Sequence, residues 1–210
     1  MNKTAYEKAA AGEWVGSADL AKLIRSSLKK SFAGVQFRVR TAAGSIHISW
    51  VDGPPTKEVR WVASDYETAG FDGSIDLAYS YSLWLYPDGT ASVAHCAGTS
   101  GSQGFVPEII GSAQRPDGVL CTNVHSTYVF EHRELSVEAR LRGYERAVQR
   151  HELPEHTVEP TEHGLRVKPD VFIGDSNSYR GTWLSCLIDQ YASDILDEEW
   201  FANHKAIATH

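Results

Sequence analysis

Between Leu20 and Trp50 the apolar period of the chain changes once, and that change most restricts what it can fold into. Leu20, Leu23, Ile24, Leu28 and Phe32 recur at three- and four-residue steps, the spacing of one face of an α-helix. Burying such side chains is worth about 1.5–3 kcal/mol each, so this face belongs to a core. From Val35 the period drops to two. Val35, Phe37 and Val39 alternate with Gln36, Arg38 and Arg40, and after Ala42-Ala43-Gly44 the residues Ile46, Ile48 and Trp50 alternate with His47 and Ser49. This predicts two half-buried strands joined by a tight turn. Ser17 is the expected cap of the helix and Gly34 its stop. Asp52-Gly53-Pro54-Pro55 must end the second strand, because proline cannot continue a ladder.

The rest of the chain repeats these two patterns in clusters. Thr56 can cap a second helix carrying Val59, Val62, Ala63 and Tyr66 at helical spacing. Pro87-Asp88-Gly89 sits between apolar runs at Tyr79–Tyr86 and Thr90–Ala97 and reads as a hairpin turn. Residues Val119 to Phe130 read as one or two strands. Ser136 can cap a third helix with Val137, Leu141, Tyr144 and Val148 inward, and residues Thr182 to Phe201 read as a last helix with an acidic outer side. Without regular strand–helix–strand alternation, the fold class is α+β: antiparallel hairpins and a small mixed sheet packed by three or four helices. The expected organisation is an N-terminal arm at 1–16, a main domain at 17–150, a linker at 151–164 and a C-terminal strand and acidic helix at 165–210, packed on the main domain.

At 210 residues the chain can bury a sizeable core. No apolar run reaches the roughly 18 residues that a membrane span needs, and Met1 to Gly12 lacks the apolar stretch of a secretory signal. The first of these argues against a membrane partner, and three cysteines, too few for a disulfide framework, point to a reducing cytoplasm. Charge is unevenly spread. Residues 1–60 hold ten Lys/Arg against five Asp/Glu, whereas residues 61–210 hold ten against twenty-two. A basic binding face on an acidic body is one reading of that asymmetry, and an ordinary soluble surface is the other.

The runs Leu23–Phe32, Val35–Arg40 and Ile48–Pro54 together resemble the large polyvalent protein-associated domain 29 family. Phe71-Asp72-Gly73-Ser74-Ile75-Asp76-Leu77 and Tyr128–Ser136 are similar to later blocks of it. The resemblance runs in pieces from Leu20 to Arg150, with Ala33 where the family usually has proline before the first strand. It implies a compact α+β domain and a setting in phages or conjugative elements, and it brings no catalytic residues with it.

Several groups invite chemistry. Cys96, Cys121 and His125 would suit zinc if their strands pair, or Cys96 and His125 could act as nucleophile and base. The competing reading is buried cysteine and surface histidine. His151-Glu152-Leu153-Pro154-Glu155-His156 is not a zincin helix, since Pro154 breaks it. Gly98–Gly104 lacks the lysine ending of a phosphate loop. Asp52, Asp72 and Asp76 suit turns as well as they suit a carboxylate cluster. The basic residues give the strongest hint: Lys22, Arg25, Lys29 and Lys30 on the helix, and Arg38 and Arg40 on the strand with His47 beside them, could meet phosphates.

The expectation is therefore an accessory or interaction module of a mobile element, with no cofactor called for and its oligomeric state open. Its partner would be nucleic acid, or a host or mobile-element protein drawn to the basic block or the acidic last helix. A Cys/His thiol or zinc enzyme is the remaining alternative.

Overall fold

A computed structural model of the chain describes residues 3–94, 113–114, 118–124, 127–154, 156–162, 164–175 and 180–206. It divides into two compact units, one of residues 1–49 and 59–132 and the other of residues 50–58 and 133–210. The class is α+β.

The first unit opens with helix α1 (Ala5–Ala10). Thr4 caps it and Glu7 returns the bond to the Thr4 N–H at 2.7 Å, a capping box. What holds this arm is Tyr6, donating to the Gly118 carbonyl at 2.7 Å, and Lys8, paired with Asp19 at 2.7 Å. Helix α2 (Ser17–Ser31) buries Leu20, Ala21, Ile24 and Leu28, as its period requires. Its cap is Gly16 and not Ser17, which is the first helical residue. Asp19 takes over the side-chain role, accepting from the Gly16 N–H at 3.4 Å. Strand β1 (Arg38–Ala42) then pairs antiparallel with β2 (Ser45–Val51), placing Arg40 opposite His47 and Arg38 opposite Ser49. The hairpin turns through Ala43 and Gly44, both at positive φ. β1 is shorter than the alternation suggests: Val35 to Phe37 precede it, and Phe37 meets Phe32 with ring centroids 5.6 Å apart.

Helix α3 (Thr56–Ser64) is followed by the hairpin β3 (Ala69–Asp72) and β4 (Leu77–Ser80). Strands β5 (Ser82–Leu85), β6 (Ala91–Ala94), β7 (Ala113–Gln114) and β8 (Leu120–Asn123) form a four-stranded sheet in the order β6-β5-β8-β7. The β5–β6 turn is the expected Pro87-Asp88-Gly89, with Asp88 accepting from the Thr90 N–H at 2.9 Å and Gly89 at positive φ. Strand β9 (Val129–Glu134) joins β1 and β2 in the order β1-β2-β9. The Ile46 N–H bonds the Tyr128 carbonyl and the Asp52 N–H bonds the Glu134 carbonyl, both at 2.8 Å. These equal steps along both chains make β9 parallel to β2. No local pattern announces this pairing, which joins segments some eighty residues apart.

The second unit is built on helix α4 (Val137–His151), capped by Ser136 as expected, with its Oγ accepting from Ala139 N–H at 3.1 Å. Residues 157–161, inside the stretch read as a linker, form β10 (Thr157–Thr161), paired with β11 (Gly164–Lys168). Strands β12 (Phe172–Asp175) and β13 (Arg180–Trp183) make another hairpin, so Thr182 belongs to a strand and α5 starts at Leu184 (Leu184–Asn203). The core of this unit is Ala147, Val167, Leu184, Leu187, Ile188 and Tyr191. Gly143 lets α4 and α5 approach closely. A Cβ there would sit 2.8 Å from the Ala192 nitrogen and closer still to the Ile188 carbonyl, and backbone cannot step aside.

Candidate nucleic-acid interface

Alternation decides which side chains of the first unit's strands face solvent. On β1, Val39 is buried and Arg38 and Arg40 are exposed. On β2, Ile46 and Ile48 are fully buried, while Ser45, His47 and Ser49 lie on the other side. On β9, Val129 and Glu131 face inward, leaving Phe130 and His132 outward with Tyr128 just before them. One sheet face therefore carries Arg38, Arg40, His47, Tyr128, Phe130 and His132. None of its outward positions in this unit is an Asp or Glu; the next outward residue of β9, Glu134, belongs to the second unit.

The aromatic rings on this face form a strip. His47 stacks on Phe130 across the β2–β9 pair, with centroids 5.2 Å apart and planes inclined by 27°. Phe130 in turn stacks with Tyr128 at 6.2 Å and 25°. Phe130 is 50% exposed and Tyr128 38%, although aromatic side chains of this size ordinarily bury most of their surface. Beside the strip, Arg40 stands in register with His47. Neither Arg38 nor Arg40 has an ion pair or side-chain hydrogen bond among the described residues.

The inner side of the same sheet shows what arginine looks like when the fold consumes it. Arg60 of α3 donates to the Val129 carbonyl at 3.0 Å and to the Glu131 carboxylate at 3.2 Å, and pairs with Glu67. Glu67 accepts the Val129 N–H at 3.1 Å. Burial, above all, holds the Glu131 carboxyl above the ordinary glutamate range, with Arg60 pulling against it. Burial also works against the Arg60 charge, but the two carboxylates outweigh it and raise its pKa. Arg60 is thereby spent on holding β9 in place.

The helical cations expected to join Arg38 and Arg40 go to several places. Arg25 donates to the Val39 carbonyl at 2.6 Å, satisfying a carbonyl of edge strand β1 from beside the sheet. Lys22 pairs with Asp19 at 3.2 Å, and Lys30 lies near enough to Asp88 to lower its pKa slightly, behind the larger effect of the Thr90 hydrogen bonds. Lys29 is exposed at the end of α2. The basic block is thus a sheet face, an edge arginine and dispersed helical lysines. The aromatic half of the face was not among the expected site residues. Nothing in the sequence marked it, since the partner strand was not legible and Tyr128 and Phe130 alternate as core residues would.

The other candidates resolve differently. His95, Cys96 and His125 lie outside the described residues, as does the Gly98–Gly104 loop. Cys121 is a backbone partner of Trp84 in the β5–β8 pair, and its side chain is also outside the described set. Among the described residues no three His, Cys, Asp or Glu are grouped to hold a metal. Asp72 closes its own turn, accepting from the Ser74 N–H at 2.9 Å. Asp52 accepts from the Ser136 N–H at 2.9 Å at the head of α4. His151 bonds Tyr191 at 3.0 Å, and His156 sits edge-on to Tyr144. No helix among the described residues is long and apolar enough to cross a membrane.

Residues 15–136 match a family model described as large polyvalent protein associated domain 29. The matched stretch runs from the end of the N-terminal arm to the cap of α4, and includes every strand of the basic and aromatic face. No curated protein and no solved structure matches the chain.

Proposed function

The chain belongs to the large polyvalent protein associated domain 29 family, and from that premise we propose that it is a mobile-element accessory module, with no chemistry of its own, whose partner is nucleic acid. The observation that carries this reading is the outward face of the β1-β2-β9 sheet in the first unit, where Arg38 and Arg40 have no partner among the described residues and no carboxylate stands beside them on the face. An arginine with no internal partner keeps all of its planar donors for phosphate oxygens. A local field of one sign attracts polyanions even when the whole chain is acidic, because screening confines the far charges to about 8–10 Å. Arg25 at the sheet edge and the exposed Lys29 extend the attraction beyond the face itself.

The test is binding to labelled DNA and RNA across a salt series. Affinity is expected to fall steeply with salt, and Arg38→Ala with Arg40→Ala should flatten the slope of log K against log salt by about 0.7–0.9 for each phosphate no longer neutralised. Both variants change exposed side chains and should leave the fold intact, which circular dichroism checks. Absence of binding at low salt, or a slope unchanged by both substitutions, overturns the reading.

A further inference from the structure

Charge alone does not account for this face. A surface made only to attract phosphates needs no exposed phenylalanine, and Phe130 with Tyr128 leaves a large apolar area in water on the same patch as Arg38 and Arg40. We propose that the face binds single-stranded nucleic acid, with unpaired bases stacking on the Phe130–Tyr128–His47 strip while Arg38 and Arg40 hold the backbone. This deepens the nucleic-acid reading above and rests on it.

The geometry argues for a single strand over a duplex. In a duplex the base faces are already stacked on one another and only their edges reach the grooves. An aromatic ring can meet a base face only if that base is unpaired. Such platforms are tolerant of sequence because every base has a π-face. Here three rings stack in series across two strands, with planes inclined by no more than 27°, and an unpaired base can prolong that stack where the rings are exposed. Neighbouring strands are about 4.8 Å apart, so Arg40, one strand beyond His47, lies within side-chain reach of a backbone whose bases rest on the strip. The strip carries no sequence-reading amide or carboxylate, and weak sequence preference follows.

An acidic protein segment is the competing occupant. It would use the arginines but gain nothing specific from a face-on stack, and this separates the two in an experiment. The probes are fluorescein-labelled oligothymidylate, oligouridylate, a blunt DNA duplex of equal length, and an unlabelled polyglutamate competitor. Single strands should bind at least tenfold more tightly than the duplex, and Phe130→Ala should weaken single-strand binding roughly tenfold while leaving duplex binding unchanged. Phe130→Trp should restore affinity, and oligothymidylate should quench its emission beyond the quench seen in the wild type, whose six tryptophans set the baseline. That quench also verifies that the face is folded and is the surface occupied. Equal affinity for single strand and duplex, together with a silent Phe130→Ala, overturns the stacking proposal while the phosphate reading survives. Polyglutamate displacing the strand at equal charge concentration overturns it too. No binding of any nucleic acid overturns both. Comparison of the oligothymidylate and oligouridylate arms tells DNA from RNA as the preferred source of the strand.

Discussion

The first unit leaves two arginines of one sheet face unspent, whereas the second spends those around α4. In the second, the arginines that lie along or just ahead of α4 are consumed at home. Arg140 pairs with Asp189 at 2.7 Å, Arg142 with Glu199, and Arg146 with Glu198 at 3.0 Å, so the acidic side of α5 is answered by α4. Arg133 goes furthest: only 5% of its side chain is exposed, and it donates to the Asp52 and Gly53 carbonyls at 2.9 and 2.7 Å and to Asp197 at 2.6 Å. In the first unit, Arg38 and Arg40 have no such partners among the described residues. Counting charges along the chain does not separate these cases. What distinguishes a surface available to a polyanion is cations that the fold leaves unspent, and by that measure Arg133, Arg140, Arg142 and Arg146 are internal to the second unit. On the acidic helix, Asp189, Glu198 and Glu199 pair with arginines of α4 while remaining about half exposed or more.

The most forceful way to break this contrast is Arg133→Met. If Arg133 is structural, its removal leaves two carbonyls of the Asp52–Gly53 turn and the Asp197 carboxylate without their donor, at a cost of about 3 kcal/mol. Urea unfolding should show that loss in the midpoint, while oligonucleotide affinity under native conditions stays within twofold. An affinity loss matching that of Arg38→Ala would place Arg133 among the residues that touch the ligand and erase the distinction. The same residue also fixes the Asp52–Pro55 turn. Asp52 and Gly53 take positive φ, and the carbonyls thus exposed are tied down by one guanidinium.

The first unit also contains spent cations, and Asp19 is where that can be measured. Burial pushes its carboxyl up, but Lys8, the Gly16 N–H and Lys22 outweigh this and hold it below the ordinary aspartate range. The sign follows directly. A carboxylate whose folded pKa is depressed adds stability above its unfolded value and loses it as pH falls through the folded value. The stability difference between wild type and Asp19→Asn should therefore be full near neutral pH and shrink on acidification below about pH 4. Released from Asp19, Lys8 and Lys22 should slightly strengthen oligonucleotide binding at low salt. A difference that grows on acidification would mean that the ion pairs are not what holds α1 to α2.

How far these features were legible in the sequence depended on the range of the interactions. The helix from Ser17, the hairpin after it, the Asp88-Gly89 turn and the Ser136 cap rest on neighbours a few residues apart, and their patterns gave them away. The parallel pairing of β2 with β9 did not, because nothing local distinguishes one half-buried strand from another as a mate. Without it, Phe130 reads as a core aromatic and not as a ring laid across His47. The hairpin of Thr157–Lys168 was hidden for another reason. Glu159, Pro160 and Glu162 gave it the composition of a linker, although Pro160 is tolerable in a two-stranded ribbon where it need not donate.

The smallest expected effect tests the contrast from its other end. Arg142 and Arg146 meet Glu199 and Glu198 at the exposed side of the α4–α5 pair, with both partners well hydrated. The Glu198 carboxyl is lowered chiefly by its bond from Arg146, and the Arg146 pKa is raised in turn. Exposed pairs of this kind contribute little to stability, because screening and side-chain entropy offset the attraction. Arg142→Gln with Arg146→Gln should leave the urea midpoint nearly where it was. It should also leave oligonucleotide affinity and its salt slope unchanged, although the double variant removes as much positive charge as Arg38→Ala with Arg40→Ala. Equal charge removed with unequal effect would show that pairing, and not net charge, decides where a polyanion binds. A fall in slope equal to that of the sheet variants would instead mean that phosphates outcompete Glu198 and Glu199, and that α4 belongs to the interface.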